Sequence, residues 1–200
     1  RGDKAVIGTR IRCTYKRDPQ TNCLLDDGGH RVRWVGKGFT MQHGVNYWQT
    51  HSATTKASGI RLFAGCVKQF NLDTCLIDAE KFFTQSDLNE LVYCEQMEGH
   101  VQGGYLPDGR PKLVCLLNKS LEGLKQSGNT AQTNNIAHLT GPCMVKQCVY
   151  EPTMFKRDFT INGAQVVLIL LVWIDDILAA FTRGYYNQIL VPFYETYSKR

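Results

Sequence analysis

The chain has 200 residues, of which 43% are hydrophobic, 10% aromatic and 20% charged. This length and balance suit one domain with a buried core, and they exclude a disordered, collagen-like or coiled-coil chain as a whole. The net charge of +5 is local, because residues 1–37 hold nine Lys or Arg against four Asp or Glu while residues 38–200 hold fourteen of each. Basic charge near Tyr15 and Trp34 suits a polyanionic partner such as nucleic acid or a triphosphate, although charge alone favours a solvated basic face.

The first half of the chain opens with a predicted basic hairpin. Segments 5–16 and 31–35 mix β-branched and basic residues, and a turn-rich stretch over 18–29 separates them. Apolar residues then recur at spacings of three and four, which predicts a helix over about 58–69 with Ser58 as its cap.

Shorter elements follow in the middle of the chain. The pattern predicts a strand over 72–83, a short helix near 86–90 and a strand over 113–117. A polar stretch over 120–135 has weak helical character. Segment 184–200 begins a further helix, which we expect Pro192 to interrupt.

A second hairpin gives the clearest local signal. Segments 154–161 and 164–174 flank Asn162-Gly163, the dipeptide typical of a type I′ turn. The pair Asp175-Asp176 follows directly, and 177–181 is apolar again. Two apolar strands therefore flank an acidic pair at a tight turn.

Composition also bears on compartment. The eight cysteines show neither CxxC spacing nor a zinc-type Cys/His set, which predicts free and mostly buried thiols. With no secretory leader and no apolar run longer than nine residues, we expect a protein inside the cell that makes no membrane contact. The first residue is Arg, so we expect a piece of a longer polypeptide.

The acidic pair is the first candidate site. Adjacent carboxylates between buried strands are costly unless a cation compensates their charge, and hard oxygen ligands favour Mg²⁺ or Mn²⁺ over zinc. A two-metal site for phosphoryl transfer needs a third carboxylate from elsewhere in the chain, and Asp78 is the candidate. The alternatives are a solvated hairpin tip for Asp175 and Asp176, and an ordinary turn residue for Asp78.

Ordered blocks of sequence extend this hypothesis. They are Asp78 with Phe83, 87–96 (DLNELVYCEQ), 117–126 (LNKSLEGLKQ), 151–155 (EPTMF) and 172–176 (VWIDD), preceded by 5–9 (AVIGT), 31–39 (RVRWVGKGF) and 60–62 (IRL). In this order and spacing, the chain resembles copia-type retrotransposon reverse transcriptases over almost its whole length. Each block alone is weak evidence for the resemblance, whereas the order and spacing of all the blocks together are highly specific.

The resemblance implies an α+β, right-hand polymerase fold with an antiparallel palm sheet packed with helices. The fingers would lie mainly in 1–70 and 113–150, and the palm mainly in 71–112 and 151–200. The thumb, connection and RNase H regions of such elements would lie outside this chain. The function implied is RNA-directed DNA polymerisation on an RNA or DNA template with a primer, using deoxynucleoside triphosphates, inside cytoplasmic virus-like particles. The oligomeric state stays open.

The site residues follow from the same resemblance. Asp78, Asp175 and Asp176, with the backbone carbonyl of Ala79, stand where the family holds two Mg²⁺ or Mn²⁺ ions for attack of a primer 3′ hydroxyl on an α-phosphate. The substrate-binding residues implied are Arg33 and its neighbour Lys37 at the triphosphate, Phe83 as an aromatic gate against a 2′ hydroxyl, and Lys125 and Gln126 at template and nucleotide. An ordinary core role is the alternative for Phe83.

Five positions depart from the family pattern. Trp173 stands where a Tyr is usual, Phe82 replaces a small residue, and Glu122 replaces an aromatic beside the nucleotide pocket. Ala131 and Gln132 stand where a Trp-Tyr pair is usual, so we expect a looser fold. The first hypothesis is an active polymerase domain, the second is a catalytically silent remnant that still binds nucleic acid, and a metal-dependent nuclease ranks below both.

Overall fold

A computed structural model describes residues 6–24 and 29–199, and these divide between two compact units. Of the described residues, 6–24, 29–50 and 86–130 form the hairpin unit, and 51–85 and 131–199 form the sheet unit. In chain order the elements are β1 (Thr9–Tyr15), β2 (His30–Gly36), a 3₁₀ turn (Gly38–Thr40), α1 (Ala57–Gln69), β3 (Leu72–Asp78), β4 (Asp87–Glu95), β5 (Val114–Lys119), α2 (Ser127–Thr140), β6 (Lys146–Gln147), β7 (Met154–Ile161), β8 (Ala164–Trp173), β9 (Asp176–Thr182), a π-helical segment (Tyr186–Leu190) and α3 (Val191–Tyr197).

The sheet unit is built on a five-stranded antiparallel sheet with the order β3-β9-β8-β7-β6. Its central strand β8 is apolar from Val166 to Trp173, because both faces are covered there. Val166, Leu168, Leu170 and Val172 pack into a cluster with α2 and α3, whereas Ile169 and Leu171 pack into a second cluster with Phe63 of α1. Since successive side chains point to opposite faces, a strand buried on both sides needs an unbroken apolar run.

The hairpin unit contains two separate antiparallel pairs, β1-β2 and β4-β5. Its core is smaller, with Ile7, Met41, Val92, Cys94, Leu121 and Leu124 buried in one cluster. Ile7 joins the edge of β4, where its N–H donates to the Tyr93 carbonyl at 2.9 Å and its carbonyl accepts from the Glu95 N–H at 2.9 Å. A two-stranded pair is at best marginally stable in water, so contacts between segments hold this unit together.

Most predicted elements are confirmed as α+β structure with antiparallel sheets. The basic hairpin, α1, β5 and the β7-β8 hairpin form, and Asn162 and Gly163 both have positive φ (51° and 80°), as a type I′ turn requires. Residues 25–28 of the predicted turn-rich stretch lie outside the described residues. The polar stretch is helical, but later than predicted, over Ser127–Thr140.

Four local predictions are wrong. The segment predicted as a helix near 86–90 is strand from Asp87 onward, because Leu88, Val92 and Cys94 point inward with a period of two and β5 supplies the partner. β3 ends at Asp78, where a turn begins. Ser58 is not the cap of α1, since Lys56 precedes the helix without a side-chain cap. Pro192 does not interrupt a helix but lies in the first turn of α3, where its missing N–H costs nothing.

The cysteine prediction is half right. All eight thiols are free, but only Cys94 and Cys143 are buried, while Cys13 and Cys23 are exposed and the other four are half-buried. Among the described helices, none is both long and apolar enough to cross a membrane. The two units also divide the chain at other positions than the fingers and palm segments predicted above, because α1 packs on the sheet and β4 pairs with β5. Their correspondence to fingers and palm stays a prediction.

Candidate active site

Backbone register brings two of the predicted catalytic carboxylates together at one end of the five-stranded sheet. Asp78, the last residue of β3, lies directly opposite Asp176, the first residue of β9. Asp176 is in turn the register partner of Trp173, the last residue of β8. Because directly opposed residues of antiparallel strands share a face with their Cβ atoms about 5 Å apart, Asp78, Asp176 and Trp173 form a row across three strands.

The third predicted carboxylate, Asp175, lies in the two-residue turn that joins β8 to β9. The Ala79 N–H donates to the Asp175 carbonyl at 2.9 Å, so the turn is tied back to the chain just after Asp78. Ile174, the other turn residue, has a φ of 56°, which is unfavourable for a β-branched side chain. Its side chain packs against the larger core cluster, which compensates this local cost. We call Asp78, Asp175 and Asp176 the acidic corner.

A buried polar network supports the end of β8 next to this corner, and sequence reasoning missed it. The Glu151 carboxylate accepts from the Thr153 hydroxyl at 2.8 Å, and the Thr55 Oγ1 lies 3.0 Å from the Thr153 Oγ1 and 2.9 Å from the Val172 carbonyl oxygen. Glu151, Thr153 and Thr55 are all buried. Spacing could not have found this network, because Thr55 and Val172 are 117 residues apart in the chain.

The acidic corner is accessible. Asp78 and Asp176 are exposed and Asp175 is half-buried, while Ala79 is buried. Within residues 6–24 and 29–199, no group of three or more His, Cys, Asp or Glu side chains is positioned to hold a metal ion. The structure thus brings the three predicted carboxylates to adjacent backbone positions, and a shared cation stays a prediction. Oxygen donors alone are the ligand set that hard divalent cations prefer.

The two aromatic residues after Asp78 occupy different surroundings. Phe82 is buried in the larger core cluster, and Phe83 is half-buried against the same cluster, with the two ring centroids 5.5 Å apart. The side chain of Phe82 therefore fills the core. The gate role of Phe83 stays a prediction, and its core contacts agree with the alternative of an ordinary packing residue.

Four arginines share one face of the β1-β2 hairpin in the other unit. Arg12 lies opposite Arg33, and Arg31 lies opposite Thr14, while Arg10 is two residues from Arg12 on the same strand. Since residues at even spacing share a face, Arg10, Arg12, Arg31 and Arg33 form one basic surface, which we call the arginine face. The opposite face contains Ile11 and Trp34, and Trp34 packs against the core of the unit.

One member of the arginine face is paired with a carboxylate. The Arg33 Nη1 donates to the Glu122 Oε1 at 3.2 Å, with the two side chains 36% and 38% exposed. The Glu122 backbone is itself fixed, because its carbonyl accepts from the Gly36 N–H at 2.9 Å at the end of the Arg33 strand. The residue that departs from the family pattern thus contacts the residue predicted to bind a triphosphate.

Close backbone contact keeps β2 against the loop that contains Glu122. The Gly38 N–H donates to the Gly123 carbonyl at 3.1 Å, and a Cβ on Gly38 would collide with that carbonyl oxygen. Gly123 has a φ of 92°, a conformation that glycine adopts without strain. This glycine junction requires small residues on both sides, and it places Arg33 and Lys125 on connected segments of one unit.

Lys125 and Gln126 point to different surroundings. The Lys125 ammonium, on an exposed residue, lies 5.1 Å from the centroid of the Tyr47 ring and 3.4 Å from both the Tyr47 hydroxyl and the Met41 carbonyl oxygen. Gln126 is 1% exposed and donates to the Asn46 carbonyl at 3.1 Å. Its burial favours a structural role over the predicted direct contact with substrate. Sequence reasoning missed Tyr47, whose only signal was an aromatic in a loop-like stretch.

The two lost aromatics on α2 are replaced by well-defined contacts in the sheet unit. Ala131 is fully buried in the larger core cluster. The Gln132 side-chain amide donates to the Ala53 carbonyl and accepts from the Ala53 N–H, both at 2.6 Å. A side-chain amide that pairs with both polar groups of one residue imitates a strand contact. The expected loosening of the fold stays a prediction.

These features agree with the outcome of comparisons with known proteins. A family model described as reverse transcriptase (RNA-dependent DNA polymerase) matches residues 2–188. The chain belongs to this reverse transcriptase family, which confirms the resemblance found in the sequence.

Plant transposon proteins are among its relatives. The chain is 31% identical over 173 residues to the retrovirus-related Pol polyprotein from transposon TNT 1-94 of Nicotiana tabacum, covering 84% of this chain and 12% of that protein. It is 28% and 27% identical over 149 residues to the Pol polyproteins from transposons RE1 and RE2 of Arabidopsis thaliana, covering 74% of this chain and 10% of each. The chain therefore spans about a tenth of the length of these relatives. No solved structure matches it.

Proposed function

We propose that this chain is the polymerase core of a retrotransposon reverse transcriptase and adds deoxynucleotides to a primer 3′ hydroxyl on an RNA or DNA template. The observation that carries the proposal is the acidic corner, in which Asp78 and Asp176 are register partners and Asp175 is tied to Ala79. The membership of the family supports it. In this proposal the sheet unit corresponds to a palm and the hairpin unit to fingers.

Divalent cations are part of the proposed chemistry. The three carboxylates of the acidic corner, with the Ala79 carbonyl, would hold two Mg²⁺ or Mn²⁺ ions, and their oxygen donors suit either ion. When bound, such ions act as Lewis acids that stabilise charge on the attacking and leaving oxygens of phosphoryl transfer. The register of Asp78 and Asp176 suits shared ligation, because directly opposed residues share a face with their Cβ atoms about 5 Å apart.

The chain's own cations have a complementary role in the proposal. Arg33 and Lys37 would contact the triphosphate, where fixed positive charge stabilises the departing pyrophosphate. The rest of the arginine face would bind phosphates of the nucleic acid without reading its sequence. Lys125, held against Tyr47, would contact the template or the nucleotide, and Phe83 would limit space beside the sugar. The protein would work in cytoplasmic particles.

A second candidate is a nucleic-acid-binding remnant without catalysis. Two observations favour it, since Arg33 is paired with Glu122 and Gln126 is buried in the core. The arginine face does not depend on the acidic corner, so binding of a polyanion could persist without nucleotide addition.

Primer extension tests the two candidates. The assay uses the chain at high concentration on a poly-A template with deoxythymidine triphosphate and Mg²⁺ or Mn²⁺, and single-nucleotide addition is the readout. We expect addition by the unmodified chain and none by the variant with Asp175→Asn and Asp176→Asn. Folded protein that binds primer-template but adds no nucleotide would support the remnant instead.

A further inference from the structure

We propose that Glu122 is a positioning residue that competes with the triphosphate for Arg33 and so sets the affinity of the hairpin unit for polyphosphate. The inference rests on the proposed function for its biological meaning, but its physical content concerns two side chains of one unit. It starts from the ion pair between the Arg33 Nη1 and the Glu122 Oε1 at 3.2 Å.

The surroundings of Arg33 explain why a carboxylate lies there. Arg12 is its directly opposed neighbour on β1, and like charges in opposed positions of a hairpin destabilise the pair. Glu122 offsets this repulsion from a backbone position that the Gly36 N–H fixes by a 2.9 Å hydrogen bond. The fold therefore fixes the backbone position from which the Glu122 carboxylate reaches Arg33.

The same contact lowers the value of Arg33 as an anion ligand. A guanidinium binds phosphate oxygens through the N–H groups that face them, and a carboxylate already occupies one of these groups. An incoming triphosphate must break that contact and also approach the negative charge of Glu122. Because both side chains are more than a third exposed, solvent screens the pair and its strength stays modest.

The magnitude follows from the ordinary strength of such pairs. An exposed ion pair contributes at most about 1 kcal/mol, so removing the Glu122 carboxylate should tighten triphosphate binding by about 2- to 5-fold. Raising the salt concentration should reduce the difference in triphosphate affinity between Glu122→Gln and the unmodified chain. Salt screens both the ion pair of Arg33 with Glu122 and the contact of Arg33 with triphosphate. In the polymerase reaction, removing the Glu122 carboxylate should lower KM for the nucleotide and leave kcat near its original value.

A matched control exists in the same unit. Asp87 forms an ion pair with Lys119 at 2.7 Å, so Asp87→Asn removes one negative charge from the hairpin unit without touching Arg33. Glu122→Gln removes the same charge at Arg33 and keeps the side-chain size. Glu122→Asp keeps the negative charge on a shorter side chain. Its triphosphate affinity should lie between that of Glu122→Gln and that of the unmodified chain.

The experiment is calorimetric titration of the whole chain with inorganic triphosphate at low salt. We expect Glu122→Gln to bind triphosphate about 2- to 5-fold more tightly, Asp87→Asn to change affinity by less than about 2-fold, and Arg33→Gln to abolish the gain from Glu122→Gln. Equal gains in Glu122→Gln and Asp87→Asn, a gain that survives Arg33→Gln, or no triphosphate binding by Glu122→Gln would each overturn the competition.

This outcome is separable from that of the proposed function. A chain without primer extension whose triphosphate affinity still follows Glu122 and Arg33 contradicts polymerase activity and leaves the competition standing. Suppose instead that the chain extends primers but Glu122→Gln changes neither its triphosphate affinity nor its KM. That result supports polymerase activity and contradicts the competition.

Discussion

The sheet unit and the hairpin unit position their charged residues by different means. In the sheet unit, Asp78 and Asp176 are register partners on neighbouring strands of a sheet that has an apolar cluster on each face. In the hairpin unit, Arg33 and Lys125 take their places through an ion pair, an aromatic contact and a glycine junction. Register resists side-chain substitution, whereas contacts of the second kind change with a single residue. We therefore expect substitutions to tune affinity in the hairpin unit and to remove chemistry in the sheet unit.

The largest effect should come from the acidic corner. Asp78→Asn should slow primer extension by about 10²- to 10⁴-fold, because it removes one carboxylate ligand from the proposed metal site. Since Asp78 is exposed, the folded structure should persist. The rate of single-nucleotide addition, with circular dichroism as a check of folding, measures the effect.

A control for this prediction lies on the same strand. Asp73 forms an ion pair with Arg183 at 2.9 Å, and Asp73→Asn makes the same chemical change five positions earlier on β3. We expect less than about a 3-fold change in rate, because an exposed pair contributes little. Equal losses in both variants would mean that the acidic corner has no special role.

The glycine junction should be the most sensitive structural point of the hairpin unit. Gly38→Ala should lower the free energy of unfolding by about 1–3 kcal/mol, because the new Cβ meets the Gly123 carbonyl and backbone cannot move aside cheaply. Urea unfolding followed by circular dichroism measures this change.

Gly65 supplies the contrast in the sheet unit. It lies within α1, and a Cβ there would meet no atom within 4 Å. Gly65→Ala should therefore raise the free energy of unfolding by about 0.5–1 kcal/mol through helix propensity. If Gly65→Ala lowered the free energy of unfolding as much as Gly38→Ala, the claim that the glycine junction is especially sensitive would be contradicted.

An effect of similar size to that of Gly38→Ala is expected where α2 departs from the family pattern. Gln132→Ala should lower the free energy of unfolding by about 1–3 kcal/mol, because it removes both hydrogen bonds to Ala53. The exposed Gln165, which donates to the Thr160 hydroxyl at 3.0 Å, is the matched control, and Gln165→Ala should change stability by less than about 0.5 kcal/mol. Thermal or urea unfolding distinguishes the two, and equal effects would deny Gln132 its compensating role.

A last effect appears only in alkali and is largest for one thiol in each unit. Burial raises the pKa of Cys94 from 9.0 to about 12, with the neighbouring Cys115 adding to the shift, and burial raises the pKa of Cys143 to about 11. The folded state then keeps protons that the unfolded state releases above pH 9. Stability is therefore unaffected below pH 9 and falls above it, up to pH 11 for Cys143 and pH 12 for Cys94.

Unfolding at several alkaline pH values tests this prediction. Each thiol should add a slope of up to about 1.4 kcal/mol per pH unit within its range. Cys94→Ala should remove the part that continues to pH 12 and leave the part due to Cys143. A pH dependence that Cys94→Ala leaves unchanged would contradict the assignment.

Local patterns allowed much of the fold to be predicted. Asn162-Gly163 predicted the turn between β7 and β8, and the spacing of apolar residues predicted α1. The helix predicted near 86–90 was wrong. Leu88 and Val92 point inward with the period of two of a strand, but the partner strand β5 lies more than twenty residues further along the chain, so the local sequence does not reveal the pairing. For the site, the identity of the three carboxylates came from their motifs, and their adjacency required the pairing of β3 with β9.

By itself the sequence determined the family, the acidic and basic residue types and the type of each strongly periodic element. These depend on residue identity and on neighbours a few positions away along the chain. Only the tertiary structure decided that Glu122 faces Arg33, that Thr55 supports the end of β8, and that Phe82 fills the core. Such contacts join residues far apart in the chain, because long-range packing brings them together and no local pattern encodes their partners.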